Sequence, residues 1–195
     1  MEFALHHLYH IYNRGNNRQP VFFSDANYIY FLQKVRKHII PICHILSYCL
    51  MPNHFHFLIY TDERTLTTRK TSGKNKNALS EGFRNLLSSY TQAINVQNKS
   101  TGSLFQQNTK SKCLSDGNHG YAGTCFHYIH QNPLKAGLVK KMEGWKYSSF
   151  NDFAGLRNGT LCNKELALEL LDINEAGFYE DSYKVIPDET AINLF

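Results

Sequence analysis

The order of apolar patterns along this chain predicts an α+β fold, a ferredoxin-like (RRM-like) antiparallel sheet with helices packed on one face. Three observations predict it. Stretches of two-residue alternation and stretches of helical spacing follow one another in the order βαββαβα. The chain has 195 residues, 42% hydrophobic and 19% charged, which is enough apolar material for one folded core. It contains no internal repeat and no apolar run near the ~18 residues of a membrane-spanning helix.

The elements are read in order. His6 to Asn13 alternates as a strand and ends in the turn-rich basic segment Asn13-Arg14-Gly15-Asn16-Asn17-Arg18. That segment offers backbone N–H groups and two arginines to a phosphate, or is only an exposed turn. Ser24-Asp25 reads as a helix start, with Tyr28, Phe31, Leu32, Val35 and Ile39 on one stripe before Pro41. Ile42 to Met51 and His54 to Tyr60 read as a hairpin turning at Pro52-Asn53. Thr61 to Asn77 is polar and basic and reads as a mobile loop. A helix with Leu79, Phe83, Leu86, Leu87, Tyr90 and Ile94 follows. A fourth strand is expected to begin at Ser103-Leu104-Phe105-Gln106-Gln107, with Lys110 and Lys112 after it. Ser115-Asp116-Gly117-Asn118 reads as a turn and cap for a third helix from about His119 to Asn132, closed by Pro133. Trp145 to Phe150 reads as an aromatic anchor. Asn163 caps a short helix, and Asn174 to Phe195 shows no periodicity.

The net charge of +5 hides an asymmetry. Residues 157–195 carry 3 basic and 8 acidic residues; with totals of 21 and 16, residues 1–156 carry 18 basic against 8 acidic. A basic body points to an anionic partner, nucleic acid first. The two units expected are therefore a body, 1–156, and an acidic C-terminal extension, 157–195. The five cysteines are scattered with no C-x-x-C pair, and the N-terminal residues lack a signal-peptide layout. Both features read as cytoplasmic.

The chemistry centres on Leu50-Met51-Pro52-Asn53-His54-Phe55-His56-Phe57. On a strand His54 and His56 share a face, and Phe55 and Phe57 take the other. Two imidazoles side by side supply half of a metal site, or one is merely hydrogen-bonded and the other exposed. On the third helix Tyr128 and Asn132 are one turn apart. Asn132 offers a carbonyl oxygen that hard divalent cations accept, and Tyr128 a phenol. Such a set suits transesterification at a phosphodiester with tyrosine as nucleophile. No nucleotide-binding signature is present. Tyr90 is the rival nucleophile, but it falls on an apolar stripe. His130 or Gln131 would stand near the metal were the helix rotated, and His6, His7, His10, His44, His119 and His127 read as structural or surface residues.

His54-Phe55-His56 resembles the His-hydrophobic-His motif of the HUH endonucleases. Tyr128-Ile129-His130-Gln131-Asn132-Pro133, followed by Leu134-Lys135-Ala136-Gly137-Leu138-Val139, resembles the Tyr-Ile-x-x-Asn-Pro-x-x-Ala-Gly segment of REP-associated tyrosine transposases. Asn13-Arg14-Gly15, Gly102-Ser103-Leu104-Phe105 and Trp145-Lys146-Tyr147-Ser148-Ser149-Phe150 resemble further landmarks of that family, in order, over roughly residues 5–155. The resemblance implies a catalytic domain that cuts and rejoins single-stranded or hairpin DNA. Its nucleophile would be Tyr128, and its metal ligands, for Mg2+ or Mn2+, would be His54, His56 and Asn132. Related insertion-sequence transposases use glutamine as the third ligand. Family members often carry Leu-Trp and an arginine where this chain has Phe105 and Asn108-Thr109-Lys110. Arg14, Arg18, Lys110, Lys112 and Lys135 are the expected DNA contacts. Relatives include dimers that exchange the tyrosine helix and monomers that keep it, so either state is open. A non-catalytic nucleic-acid-binding domain, a Rep- or relaxase-type nickase and a metal sensor are the competing readings.

Overall fold

The computed structural model describes residues 2–71, 74–115, 120–184 and 186, and for 68–71, 74–76 and 120 the backbone alone. The expected turn at 116–118, the helix start at His119 and the last residues of the acidic extension lie outside the described residues.

The strands β1 (Leu8–Arg14), β2 (His44–Met51), β3 (His54–Tyr60) and β6 (Lys110–Cys113) form one antiparallel sheet in the order β2-β3-β1-β6. Between them run α1 (Asp25–His38) and α2 (Ala78–Asn98). A small separate hairpin, β4 (Thr68–Thr71) and β5 (Lys74–Asn77), replaces the mobile loop expected before α2. Then come α3 (Gly120–Lys135) and three short helices, α4 (Phe150–Phe153), α5 (Lys164–Leu170) and α6 (Phe178–Ser182).

The α+β class holds, but the helices are not confined to one face. Phe55, Phe57 and Ile59 of β3 join Tyr28, Phe31 and Val35 of α1 and Phe83, Leu86 and Tyr90 of α2 in one core. Leu46, Cys49, Met51 and Leu58 point the other way and meet Cys125, Phe126 and Ile129 of α3. The sheet is thus sandwiched, which is why β2 (His-Ile-Leu-Ser-Tyr-Cys-Leu-Met) is buried along nearly its whole length rather than at alternate residues. Burial of Phe126 and Ile129, about 1.5–3 kcal/mol each, fixes α3 against the sheet.

Two boundaries differ from expectation. Residues 103–107 are not a strand: Leu104 and Phe105 are consecutive yet both enter the α1–α2 core, which strand alternation forbids. Only an isolated bridge, Gly15 to Phe105, forms there, and β6 pairs with β1 instead. The third helix runs through Pro133 to Lys135. Pro133 lies so near the end that little of the ladder is lost, and Gly137 at φ 68° closes the helix through a bond from its N–H to the Leu134 carbonyl.

The edge of β2 is covered by the expected aromatic anchor. Leu50 N–H donates to the Tyr147 carbonyl, Trp145 Nε1 to the Leu50 carbonyl, and Tyr147 stacks on Tyr28 with centroids 3.8 Å apart. Nor is there a packing break at residue 156. Arg157 binds Asp152, and Ala167 and Phe178 sit in the core beneath α3. As far as residue 184, residues of the extension pack against the body.

Candidate active site

A cleft of about 580 Å3 opens between the sheet and α3. It is lined by Tyr12, Asn13, Arg14, His54, His56, Gln106, Lys110, Tyr128 and Asn132. Strand register explains the first members: Arg14 pairs with His54 and Tyr12 with His56, so these four side chains share the face that α3 crosses. The hairpin turn holds His54. Asn53 Oδ1 lies 2.6 Å from His54 Nδ1, while the Asn53 amide donates to the Arg18 carbonyl and its own carbonyl accepts from Gly15 N–H. An oxygen partner makes His54 Nδ1 the protonated nitrogen and puts the ring's lone pair on Nε2.

His56 is fully buried, and its Nδ1 lies 2.9 Å from Nε2 of His10, itself wholly buried on β1. The two rings are stacked with centroids 5.1 Å apart. His10 is therefore a site residue that the sequence reading left among the structural histidines. Burial, with Arg14 nearby, pushes His54 down to about 4, and burial together with His10, His54 and Arg14 holds His56 well below the ordinary imidazole range. Both rings are neutral at neutral pH, the form that ligates metals.

Tyr128 meets His56 edge-on with ring centroids 6.3 Å apart. Burial raises its phenol to about 12, with a smaller upward push from Cys125 and a lowering hydrogen bond from Asn132. The Lys135 ammonium stands 5.4 Å from the Tyr128 ring centre. Asn132 donates its amide to the Tyr128 backbone carbonyl at 2.8 Å, which fixes the carboxamide and leaves its oxygen for another partner.

The remaining expected residues divide. Arg14 and Lys110 line the cleft, and Lys135 caps the tyrosine. Lys112 instead lies over the Tyr121 ring, and Arg18 sits exposed at the turn whose carbonyl holds Asn53. Neither lines the cleft. His130 is excluded from the cleft by an aromatic cage of Phe126, Phe150, Phe153 and Phe178 and bonds Ser149 Oγ at 2.8 Å. Gln131 donates to the Ser182 and Lys184 carbonyls, and Tyr90 to the Val21 carbonyl on the far side of the sheet. Among the described residues no group of three or more His, Cys, Asp or Glu side chains is placed to hold a metal ion. The three ligands expected from the sequence, two imidazoles and a carboxamide, all line the cleft. Among the described residues no helix is long and apolar enough to cross a membrane.

Fold and cleft together define a class first: an antiparallel-sheet α+β protein with a basic cleft holding two strand histidines opposite a helical tyrosine. No family model matches the chain, and no curated protein does. Among solved structures, a REP-associated tyrosine transposase bound to a REP hairpin matches with a TM-score of 0.58 over 80% of this chain and 86% of that one, at 17% identity. The chain shares the fold of that transposase.

Proposed function

We propose that this protein is an HUH-type tyrosine transposase, a metal-dependent endonuclease and strand transferase for single-stranded or hairpin DNA. The observation that carries the reading is the meeting of Tyr128 on α3 with His56 on β3, with Asn132 one turn along the same helix. The fold shared with a transposase bound to a DNA hairpin supports it. The donor set fits a divalent cation. His54 directs its Nε2 lone pair outward because Asn53 occupies Nδ1, His10 stands at Nδ1 of His56, and Asn132 keeps a carbonyl oxygen. His54, His56 and Asn132 would hold Mg2+ or Mn2+, which would supply Lewis-acid polarisation of the scissile phosphate.

The chain's own groups do the rest. Arg14 and Lys110 draw the phosphodiester into the cleft. The Tyr128 oxygen attacks phosphorus, the phosphorus–O3′ bond breaks, and the 3′ oxygen leaves with a proton as the phosphotyrosine ester forms on the 5′ side. With the phenol near 12, only about one molecule in 10^5 carries phenolate at pH 7, and the Lys135 ammonium over the ring is the cation placed beside the developing anion. A 3′-OH attacking the phosphotyrosine reverses the step and joins strands without a nucleotide cofactor. Under this reading the protein acts on DNA in the cytoplasm.

The test incubates 3′-labelled single-stranded DNA from either side of the gene with protein and Mg2+ or Mn2+. A denaturing gel then shows a protein-linked band with the unaltered chain. Tyr128→Phe abolishes that band while hairpin binding persists. A band that survives the substitution moves the nucleophile elsewhere.

A further inference from the structure

Among the described residues a second cavity is larger than the cleft. It is a groove of about 800 Å3 between α2 and the segment 102–109, lined on the helix by Arg84, Ser88, Thr91, Gln92 and Asn95 and on the loop by Gln106 to Thr109. Gln106 lines both the groove and the cleft, so the two adjoin at that residue. Asn13, itself a cleft residue, holds the dividing ridge: its amide donates to the Gln106 carbonyl at 3.1 Å and to Thr109 Oγ1 at 3.0 Å.

The two compartments differ in charge. The cleft carries Arg14 and Lys110. The groove's cation, Arg84, is neutralised by Glu81 and also donates to Asn85. What remains is neutral and polar: hydroxyls of Ser88 and Thr91 and carboxamides of Gln92, Gln107 and Asn108 above a floor formed by Phe83, Leu87 and Phe105. Phosphates belong in the first setting and base edges in the second, because carboxamides pair with bases at two points. From Arg84 to Asn95 the helix spans roughly 16 Å, room for about four bases at a stacked spacing of ~3.4 Å.

We propose that this groove is the base-reading site for the single strand that leaves the catalytic cleft, with Gln92 and Gln107 as the discriminating side chains. The proposal rests on the DNA-cleaving reading of the cleft, but its test does not need cleavage. Binding is measured in EDTA by fluorescence anisotropy. The tightest-binding single-stranded 20-mer from a random pool is compared with derivatives changed one base at a time.

The unaltered chain discriminates by about 5- to 100-fold at a short run of adjacent positions. The double variant Gln92→Ala, Gln107→Ala lowers that to under about threefold while leaving the slope of log K against log salt unchanged. Lys110→Ala does the reverse, reducing the slope by about one and keeping the base preference. As a second measurement, oligonucleotides carrying 5-iodouracil at those positions crosslink to residues 80–109. Full discrimination in the double variant, no base preference in the unaltered chain, or crosslinks confined to other segments overturns the proposal. Base-selective binding that depends on the groove, without any tyrosine-linked product, overturns instead the catalytic reading and leaves the groove assigned.

Discussion

His10 makes no contact with solvent, yet it should control how well the cleft holds a metal. Its Nε2 lies 2.9 Å from Nδ1 of His56 in a wholly buried setting. If His56 donates that bond, its lone pair is fixed on Nε2, the nitrogen it would give to a cation. Replacing His10 by Ala leaves a buried N–H without this acceptor, a cost of about 1–3 kcal/mol. The ring can then turn or take the other tautomer, and that cost reappears as about a 5- to 150-fold loss of metal affinity, bracketing the ~10–100-fold usual for such outer partners. The assay is Mn2+ titration by electron paramagnetic resonance, on a Tyr128→Phe background with single-stranded DNA present, so that turnover does not interfere. His10→Gln, whose carbonyl oxygen can accept the same proton, should recover most of the loss. Unchanged Mn2+ affinity in a folded His10→Ala protein would refute the reasoning, because it would mean that His10 donates to His56 rather than accepting from it.

Other outcomes follow from the same geometry. With Tyr128 raised to about 12 by burial, single-turnover cleavage should rise about tenfold per pH unit between pH 6.5 and 9; a flat profile would separate the phenol's ionisation from the slow step. Lys135→Ala should slow cleavage by about two- to fivefold, the worth of an exposed cation over a ring, with little change in DNA affinity. His54, His56, His127 and His130 are all held neutral by burial in the fold, so their native pKa values lie below the unfolded ~6.5. The unfolded chain then binds more protons, and stability present above pH 6.5 is lost as pH falls toward 4. The urea midpoint measured at pH 7.5 should exceed that at pH 5, and equal midpoints would contradict it. Arg157→Ala should cost about 3–5 kcal/mol, or about 6–20 °C in Tm, since Asp152 is only 2% exposed and loses both of its guanidinium bonds. A shift under about 2 °C by calorimetry would show that Gly159 N–H alone satisfies the carboxylate.

The candidate site was legible where its geometry is local. Alternation put His54 and His56 on one face, and a four-residue helical step put Tyr128 above Asn132. His10 was not legible, because its nearness to His56 depends on the register between β1 and β3, which no local pattern sets. A second helical layer has its signal in β2, where Ile45-Leu46-Ser47-Tyr48-Cys49-Leu50-Met51 is too uniformly apolar for a strand with one wet face. The helix α5 is legible from its Asn163 cap, but α6, at 5 residues, is too short to display periodicity, so its packing on α3 leaves no mark in the sequence. The fourth strand was displaced because Leu104 and Phe105 are apolar neighbours, which looks the same in sequence whether they alternate or anchor together.

The helix that carries the tyrosine is also gripped from behind. His127 Nδ1 lies 3.0 Å from Ser182 Oγ, and Gln131 donates to two carbonyls of the same segment. Its front rests on the strands that carry the histidines. Within this chain Tyr128 and the two imidazoles are thus held on elements packed against one another. Equal mixtures of Tyr128→Phe and His56→Ala chains should then show no complementation, because neither chain can lend its intact half to the other without first unlatching α3 from its own C-terminal segment.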